Sequence, residues 1–205
     1  MPGRAQFEER VRQRLAELEA EGLHRTLQPP SGIDFSSNDY LGLSRHPALL
    51  RSMLGSFLGS DGSAYEVIDI PAGGTREPLT PQSVKEGRNL MRMSRGAALF
   101  KQAVQGMAEA GRAALEQAGM LASEISWWIP HQANGRIIRD TGERLGFEPD
   151  RTINVVARYG NSSAATIPTA MTHAVTSGKL KAGDTILLTA AGAGLVTAGA
   201  VLRWG

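Results

Sequence analysis

The stretch Trp127-Trp128-Ile129-Pro130-His131-Gln132-Ala133-Asn134-Gly135-Arg136-Ile137-Ile138 passes from a short apolar strand, through a proline, into the opening of a helix. Such a strand end is where open α/β sheets gather their functional groups, because the loops there project beyond the sheet. The pattern predicts a strand over 124–129 and a helix over 134–145, stopped by Gly146 with Pro149 beyond it. Trp127 and Trp128 fall on opposite sides of that strand, so one belongs to the core and the other lies under a helix.

Toward the C-terminus the periodicity predicts a strand over 152–156 and a helix over 164–177 closed by Gly178. After the turn Leu180-Lys181-Ala182-Gly183-Asp184 come a strand over 185–189, a Gly/Ala-rich loop over 190–194 and a last strand over 195–204. Toward the N-terminus, Leu99, Ala103, Val104, Met107, Ala110, Ala114 and Leu115 form one stripe of a long helix over 99–118, rich in small residues that permit close packing. A polar connection rich in Pro, Gly and Arg runs from residue 71 to about 93, after a strand over 65–70 and a turn over 59–63. Helices are expected over 48–54 and, with Phe7, Val11, Leu15, Leu18 and Leu23 as its apolar positions, over 7–27. The fold class that follows is α/β, a mixed sheet with packed helices preceded by an N-terminal helical arm. The boundary falls between an arm of residues 1–54 and a body of residues 55–205.

With 205 residues and 41 % apolar content the chain has material for a substantial core. Its net charge of +2 and scattered basic residues argue against a nucleic-acid binder. No cysteine is present, which excludes disulfides, thiolate metal sites and a cysteine nucleophile within this sequence. The four histidines do not converge with carboxylates at ligand spacing, so no metal is expected. No apolar run approaches the roughly 20 residues of a membrane span, and the N-terminus carries no apolar signal core. A cytoplasmic location away from membranes is the corresponding expectation.

Two side chains carry the candidate chemistry. A neutral His131 at its strand end can donate a hydrogen bond to a thioester or keto oxygen. Asn161, in the turn Arg158-Tyr159-Gly160-Asn161 ahead of a helix, can donate a second to the same developing oxyanion. The plainer alternative leaves His131 a capping or surface histidine and Asn161 a turn residue. Gly192 and Gly194 either let backbone approach a ligand or form a tight turn between strands. Arg136 at the start of its helix is either a phosphate-binding group at the rim of a cleft or a solvated cation. Lys101, with Arg92 and Arg95, makes a basic cluster around Phe100 that meets an acidic partner or is simply a charged face.

Read as motifs, His-Gln-Ala-Asn-x-Arg-Ile-Ile (His131 to Ile138) and Tyr-Gly-Asn-x-Ser-Ala-Ala (Tyr159 to Ala165) are joined in order by Gly59-Ser60-Asp61-Gly62, Phe100-Lys101, Gly178-x-Leu180-Lys181-x-Gly183-Asp184 and Val201-Leu202-Arg203-Trp204. From about residue 55 to 204 the chain resembles the C-terminal half of β-ketoacyl-acyl-carrier-protein synthase III, a thiolase-like enzyme that joins an acyl primer to a malonyl thioester in fatty-acid synthesis. The resemblance implies that His131 and Asn161 bind the malonyl thioester carbonyl and promote decarboxylation, while a cysteine in the other half carries the acyl group. It implies that Phe100, Asn134, Gly192 and Gly194 line the substrate and pantetheine site, and that Lys101 and Arg136 meet the carrier protein. The substrates implied are coenzyme A or phosphopantetheine thioesters, with no tightly bound cofactor. The family's aromatic followed by three glycines is replaced here by Ala191-Gly192-Ala193-Gly194, which is expected to widen the pocket.

Arg14-Leu15, Gly22-Leu23-x-Arg25 and Asp34-Phe35-Ser36-Ser37-Asn38-Asp39-Tyr40-Leu41-Gly42-Leu43-Ser44-Arg45-His46-Pro47 resemble instead the N-terminal arm of 8-amino-7-oxononanoate synthase, a pyridoxal-phosphate enzyme of biotin synthesis. That family's Schiff-base lysine has no counterpart, and Lys101 belongs to the other motif. The expectation for the whole is the half of a condensing enzyme that supplies oxyanion donors, inactive in condensation until a cysteine-bearing half pairs with it, and prone to form homo-oligomers. The alternatives are a non-catalytic module that docks acyl-carrier protein or coenzyme A, and a fragment of the pyridoxal-phosphate synthase.

Overall fold

The structure, a computed structural model, describes residues 9, 12–17, 19–21 and 46–205, apart from the side chains of residues 64 and 65. Met1–Leu43 and Ser44–Gly205 are two compact units. In the first, residues 12–17 are helical and Arg14 donates to Glu17 at 2.8 Å. The stretches 22–25 and 34–45, which carry most of the second resemblance, lie outside the described residues.

The second unit is built on a four-stranded mixed sheet. Its strands are β1 (Met53–Ser60), β4 (Trp127–Pro130), β5 (Thr185–Gly192) and β6 (Val196–Arg203), in the order β1-β6-β5-β4. β6 runs antiparallel to both β1 and β5, and β4 runs parallel to β5. Alternation along the strands separates two cores. Trp128, Leu187 and Val201 pack with Ala108, Ala114 and Leu115 of α3 (Gly96–Ala118) and Ile138 and Leu145 of α4 (Gly135–Leu145). Ile129 and Ile186 pack with Ala170 and Ala174 of α6 (Thr166–Thr176). The mixed sheet with packed helices is the one the sequence predicts, and the helices cover both of its faces. Trp128 is the core tryptophan and donates its indole N–H to Thr189 Oγ1 at 3.0 Å. Trp127 is half-buried against the second core, with the Lys179 ammonium 5.6 Å from its ring.

Four local expectations are corrected. The helix expected over 48–54 stops at Ser52 (α1, Pro47–Ser52), and Met53 opens β1, which glycines at 55 and 59 had disguised as a turn region. The strand expected over 65–70 is a 3-10 turn over Gly62–Val67 followed by the two-residue β2 (Ile68–Asp69). The polar connection carries its own order. Thr80 and Ser83 form a capping box on α2 (Pro81–Lys85), and β3 (Arg92–Met93) pairs with β2. Arg92 forks onto Asp69 at 2.7 and 3.0 Å, which removes it from the cluster imagined around Phe100 and holds the Asp69 carboxyl below its usual range. Finally, residues 152–156 form no strand. Thr152 makes one parallel bridge to Trp128, and the chain then enters α5 (Val156–Tyr159).

The cause of that last departure is Gln132, buried to 1 % exposure. Its amide donates to Pro130 O at 2.7 Å and Ile153 O at 3.1 Å, and its Oε1 accepts the Val155 N–H at 2.7 Å. Backbone groups that would otherwise extend a ladder are taken by one side chain. A buried amide so fully satisfied fixes the path of both segments it bridges.

Candidate functional site

His131 follows β4 directly, and its backbone N–H donates to Thr189 O at 2.7 Å, continuing the pairing with β5. The ring is half-buried, and its Nδ1 lies 2.6 Å from Thr166 Oγ1 at the start of α6. Burial holds the imidazole below its ordinary pKa, so it is neutral at neutral pH. The unfolded chain takes up this proton more readily than the folded one. Acid therefore weakens the fold once the pH drops below the ordinary histidine value, and the contribution is constant above it.

Asn161 is exposed in the loop between α5 and α6, where its Oδ1 accepts the Ser163 N–H at 2.9 Å. The loop is conformationally costly: Gly160 has φ 68°, and Ser163, at φ 56°, is one of two positive-φ residues other than glycine among the described residues. The other is Leu195, at φ 51°, in the turn after Gly194. Ser163 O in turn accepts the backbone N–H and the hydroxyl of Thr166, the latter at 2.9 Å. Asn161, Ser163, Thr166 and His131 thus lie on one continuous hydrogen-bonded path. The Asn161 carbonyl is committed to the loop, which leaves its NH₂ as the group free to donate outward.

Phe100 lies on the first turns of α3 and packs, with Ala133 and Ala191, against Ala103, Val104, Met107 and Ile137. This brings α3, the loop after His131 and the end of β5 together. The Arg136 guanidinium stands 6.0 Å from the Phe100 ring centroid, and both Arg136 and Lys101 are exposed. Asn134 is the N-cap of α4, its Oδ1 accepting the Ile137 N–H at 3.0 Å. Gly194, at φ 74°, sits in a tight 3-10 turn, Ala193–Leu195, between two antiparallel strands, while Gly192 has ordinary extended backbone. A cavity of 310 Å³ between α4 and residues 147–154 is lined by Trp128, Gly142 and Phe147 but by neither His131 nor Asn161. Thr166 is the residue that the sequence reading passes over. Its signal was a hydroxyl three positions after Ser163 at the opening of a helix.

Among the described residues no group of three or more His, Asp or Glu is placed to hold a metal ion, and no helix is long and apolar enough to cross a membrane.

Residues 115–204 match the family model of the 3-oxoacyl-[acyl-carrier-protein] synthase III C-terminal domain. They are a synthase III C-terminal domain. The domain holds both His131 and Asn161. A 3-oxopimeloyl-[acyl-carrier-protein] synthase of Rhodothermus marinus is 50 % identical over 154 residues, which cover 75 % of this chain and 44 % of that protein. A β-ketoacyl-[acyl-carrier-protein] synthase III of Symbiobacterium thermophilum is 41 % identical over 155 residues, 76 % of this chain and 47 % of the relative. The crystal structure of 3-oxoacyl-(acyl carrier protein) synthase III from Pseudomonas aeruginosa superposes with a TM-score of 0.65 at 35 % identity, over 74 % of this chain and 44 % of that one. The Thermus thermophilus enzyme gives 0.65 at 38 % identity, over 75 % and 46 %. The chain spans about half the length of the relatives it matches, and its mixed sheet with helices on both faces is the C-terminal half of their thiolase-like fold.

Proposed function

We propose that this domain supplies the oxyanion donors of a decarboxylative Claisen condensation. His131 and Asn161 polarise the carbonyl of a malonyl thioester, and Phe100 and Arg136 receive the pantetheine arm and its phosphate. The observation that carries this reading is the hydrogen-bonded path from His131 through Thr166 and Ser163 to Asn161, which couples the two donors to one loop. Loss of carbon dioxide leaves an enolate whose charge sits on the thioester oxygen, so two preorganised donors there act on the transition state more than on the ground state. Bond formation then needs an acylated thiol. This sequence contains no cysteine, so the nucleophile comes from another polypeptide segment. The direct test is release of carbon dioxide from malonyl-CoA by the intact chain, compared with His131→Ala. Equal rates would end the proposal.

The 50 % identity to a 3-oxopimeloyl synthase favours a particular primer. By carbon count, a seven-carbon 3-oxo dicarboxylate arises from malonyl and a five-carbon dicarboxylyl thioester. A link to biotin synthesis, which the resemblance of the N-terminal arm implies, is part of the same proposal. Adding pyridoxal phosphate to the chain and finding no aldimine absorbance would confine that arm to a role other than cofactor chemistry. A non-catalytic docking module is the second reading, favoured by the missing thiol. It predicts tight binding of a carrier-protein or coenzyme A thioester with no carbon dioxide released, measurable by calorimetry beside the turnover assay.

Self-association or pairing with a cysteine-bearing half is also part of the proposal. β1 is an edge strand on which Leu58 is 76 % exposed. Apolar side chains next to an unpaired strand edge favour a partner strand. Size-exclusion chromatography at rising concentration is expected to show species larger than 21.9 kDa. A sharp monomer throughout would count against it.

A further inference from the structure

We infer that Gln132 is a positioning residue that sets where Asn161 stands relative to His131. Residues 157–165, which carry Asn161, are exposed throughout, so no buried side chain of their own anchors them. The span lies between Val155 and Thr166, both buried, and both are tied to consecutive residues at the end of β4. Thr166 Oγ1 lies 2.6 Å from His131 Nδ1, and the Val155 N–H donates to Gln132 Oε1 at 2.7 Å. From Val155 the tie reaches Asn161 through a single turn. Val155 O accepts the Arg158 and Tyr159 N–H groups at 3.0 and 3.1 Å, and the Gly160 N–H closes on Val156 O at 2.8 Å. A shift of Val155 is therefore carried to the residue after Gly160. The NH₂ of the same amide holds Pro130 O and Ile153 O. One planar group thus spans the peptide before His131 and the root of the turn that leads to Asn161. A carboxamide is the side-chain group that offers two donors and an acceptor together. Because Gln132 is buried, water does not stand in for any of its three bonds.

This inference rests on the proposed role of Asn161, but its first readout is independent of turnover. In ¹⁵N relaxation of the labelled chain, Gln132→Met should loosen the backbone amides of residues 157–163 while α3 and β6 keep their order. Gln132→Glu, which retains an acceptor for the Val155 N–H, should fall between that variant and the wild type. In malonyl-CoA decarboxylation, Gln132→Met should lower kcat about 10²-fold, the scale of an ~1 Å misplacement, at nearly unchanged KM. Gln132→Glu should recover part of that loss. On an Asn161→Ala background the same Gln132→Met change should cost less than about twofold, because a residue that acts by placing Asn161 then has nothing left to place. Relaxation at 157–163 that is the same in wild type and Gln132→Met would overturn the inference, and so would an equal loss of kcat with and without Asn161. If Gln132→Met does not fold, Gln132→Glu carries both comparisons with smaller losses. Should the loop loosen as stated while no form of the chain releases carbon dioxide, the proposed function fails and the hold of Gln132 on the Asn161 loop stands.

Discussion

His131→Ala is expected to slow carbon dioxide release from saturating malonyl-CoA by about 10²–10³-fold, the usual cost of removing one preorganised donor from an oxyanion site. Asn161→Ala should fall in the same range. The Asn161 side chain also holds the Ser163 N–H at 2.9 Å, so its loss relaxes a loop that keeps Ser163 at φ 56°. The two losses should not multiply. Donors that act on one oxygen work as a unit, and removing the second from a site already lacking the first costs less than its single loss. A double variant with the full product of the two losses would mean that the groups act on different atoms. Binding of malonyl-CoA, read by calorimetry, should change far less than turnover, because the pantetheine contacts assigned to Phe100 and Arg136 remain.

The legible and the illegible parts of this fold divide on a physical line. α3, α4 and α6 carry period and punctuation together: an apolar stripe, with Gly119, Gly146 or Gly178 just past the end, each at positive φ. β1 carries neither. Met53-Leu54-Gly55-Ser56-Phe57-Leu58-Gly59-Ser60 is a strand because β6 pairs with it, and Gly55 is there for the helix that crosses above, which no local pattern records. Residues 152–156 err in the other direction. Their apolar run is buried as a strand's would be, yet Gln132 takes the hydrogen bonds. At the site, His131 and Asn161 were readable as residue types at a strand end and a helix entrance. The link between them was not, because Thr166 becomes special only when α6 is laid beside β4.

Gly199→Ala is the substitution expected to damage the fold most. α3 crosses β6 and β1 at a distance only glycine permits: a Cβ on Gly199 would run into the Ala110 carbonyl, with its carbon 2.7 Å away, and a Cβ on Gly55 would come within 2.7 Å of Ala118 N. A Cβ on Gly106 would in turn sit 2.6 Å from Thr197 Cγ2. The obstruction at Gly199 is helix backbone, which cannot rotate aside as a side chain does. Either the helix lifts from the sheet or the strand bends, and both open the core around Ala114 and Val201. Overpacking of this kind costs about 3 kcal/mol, the upper part of its usual range. The opposing gain, from a less flexible unfolded chain, is only about 0.4–1 kcal/mol. The net loss corresponds to a fall in Tm of roughly 4–10 °C for a domain of this size. Gly62→Ala is the control, because a Cβ there meets nothing within 4 Å and the φ is not positive. Thermal melts of the three proteins at one fixed concentration make the comparison. A Gly199→Ala protein that melts with the wild type would mean that α3 does not lie on β6 as closely as this packing requires. The site would then lose its rationale too, since the same helix carries Phe100 and Lys101 to the end of β5.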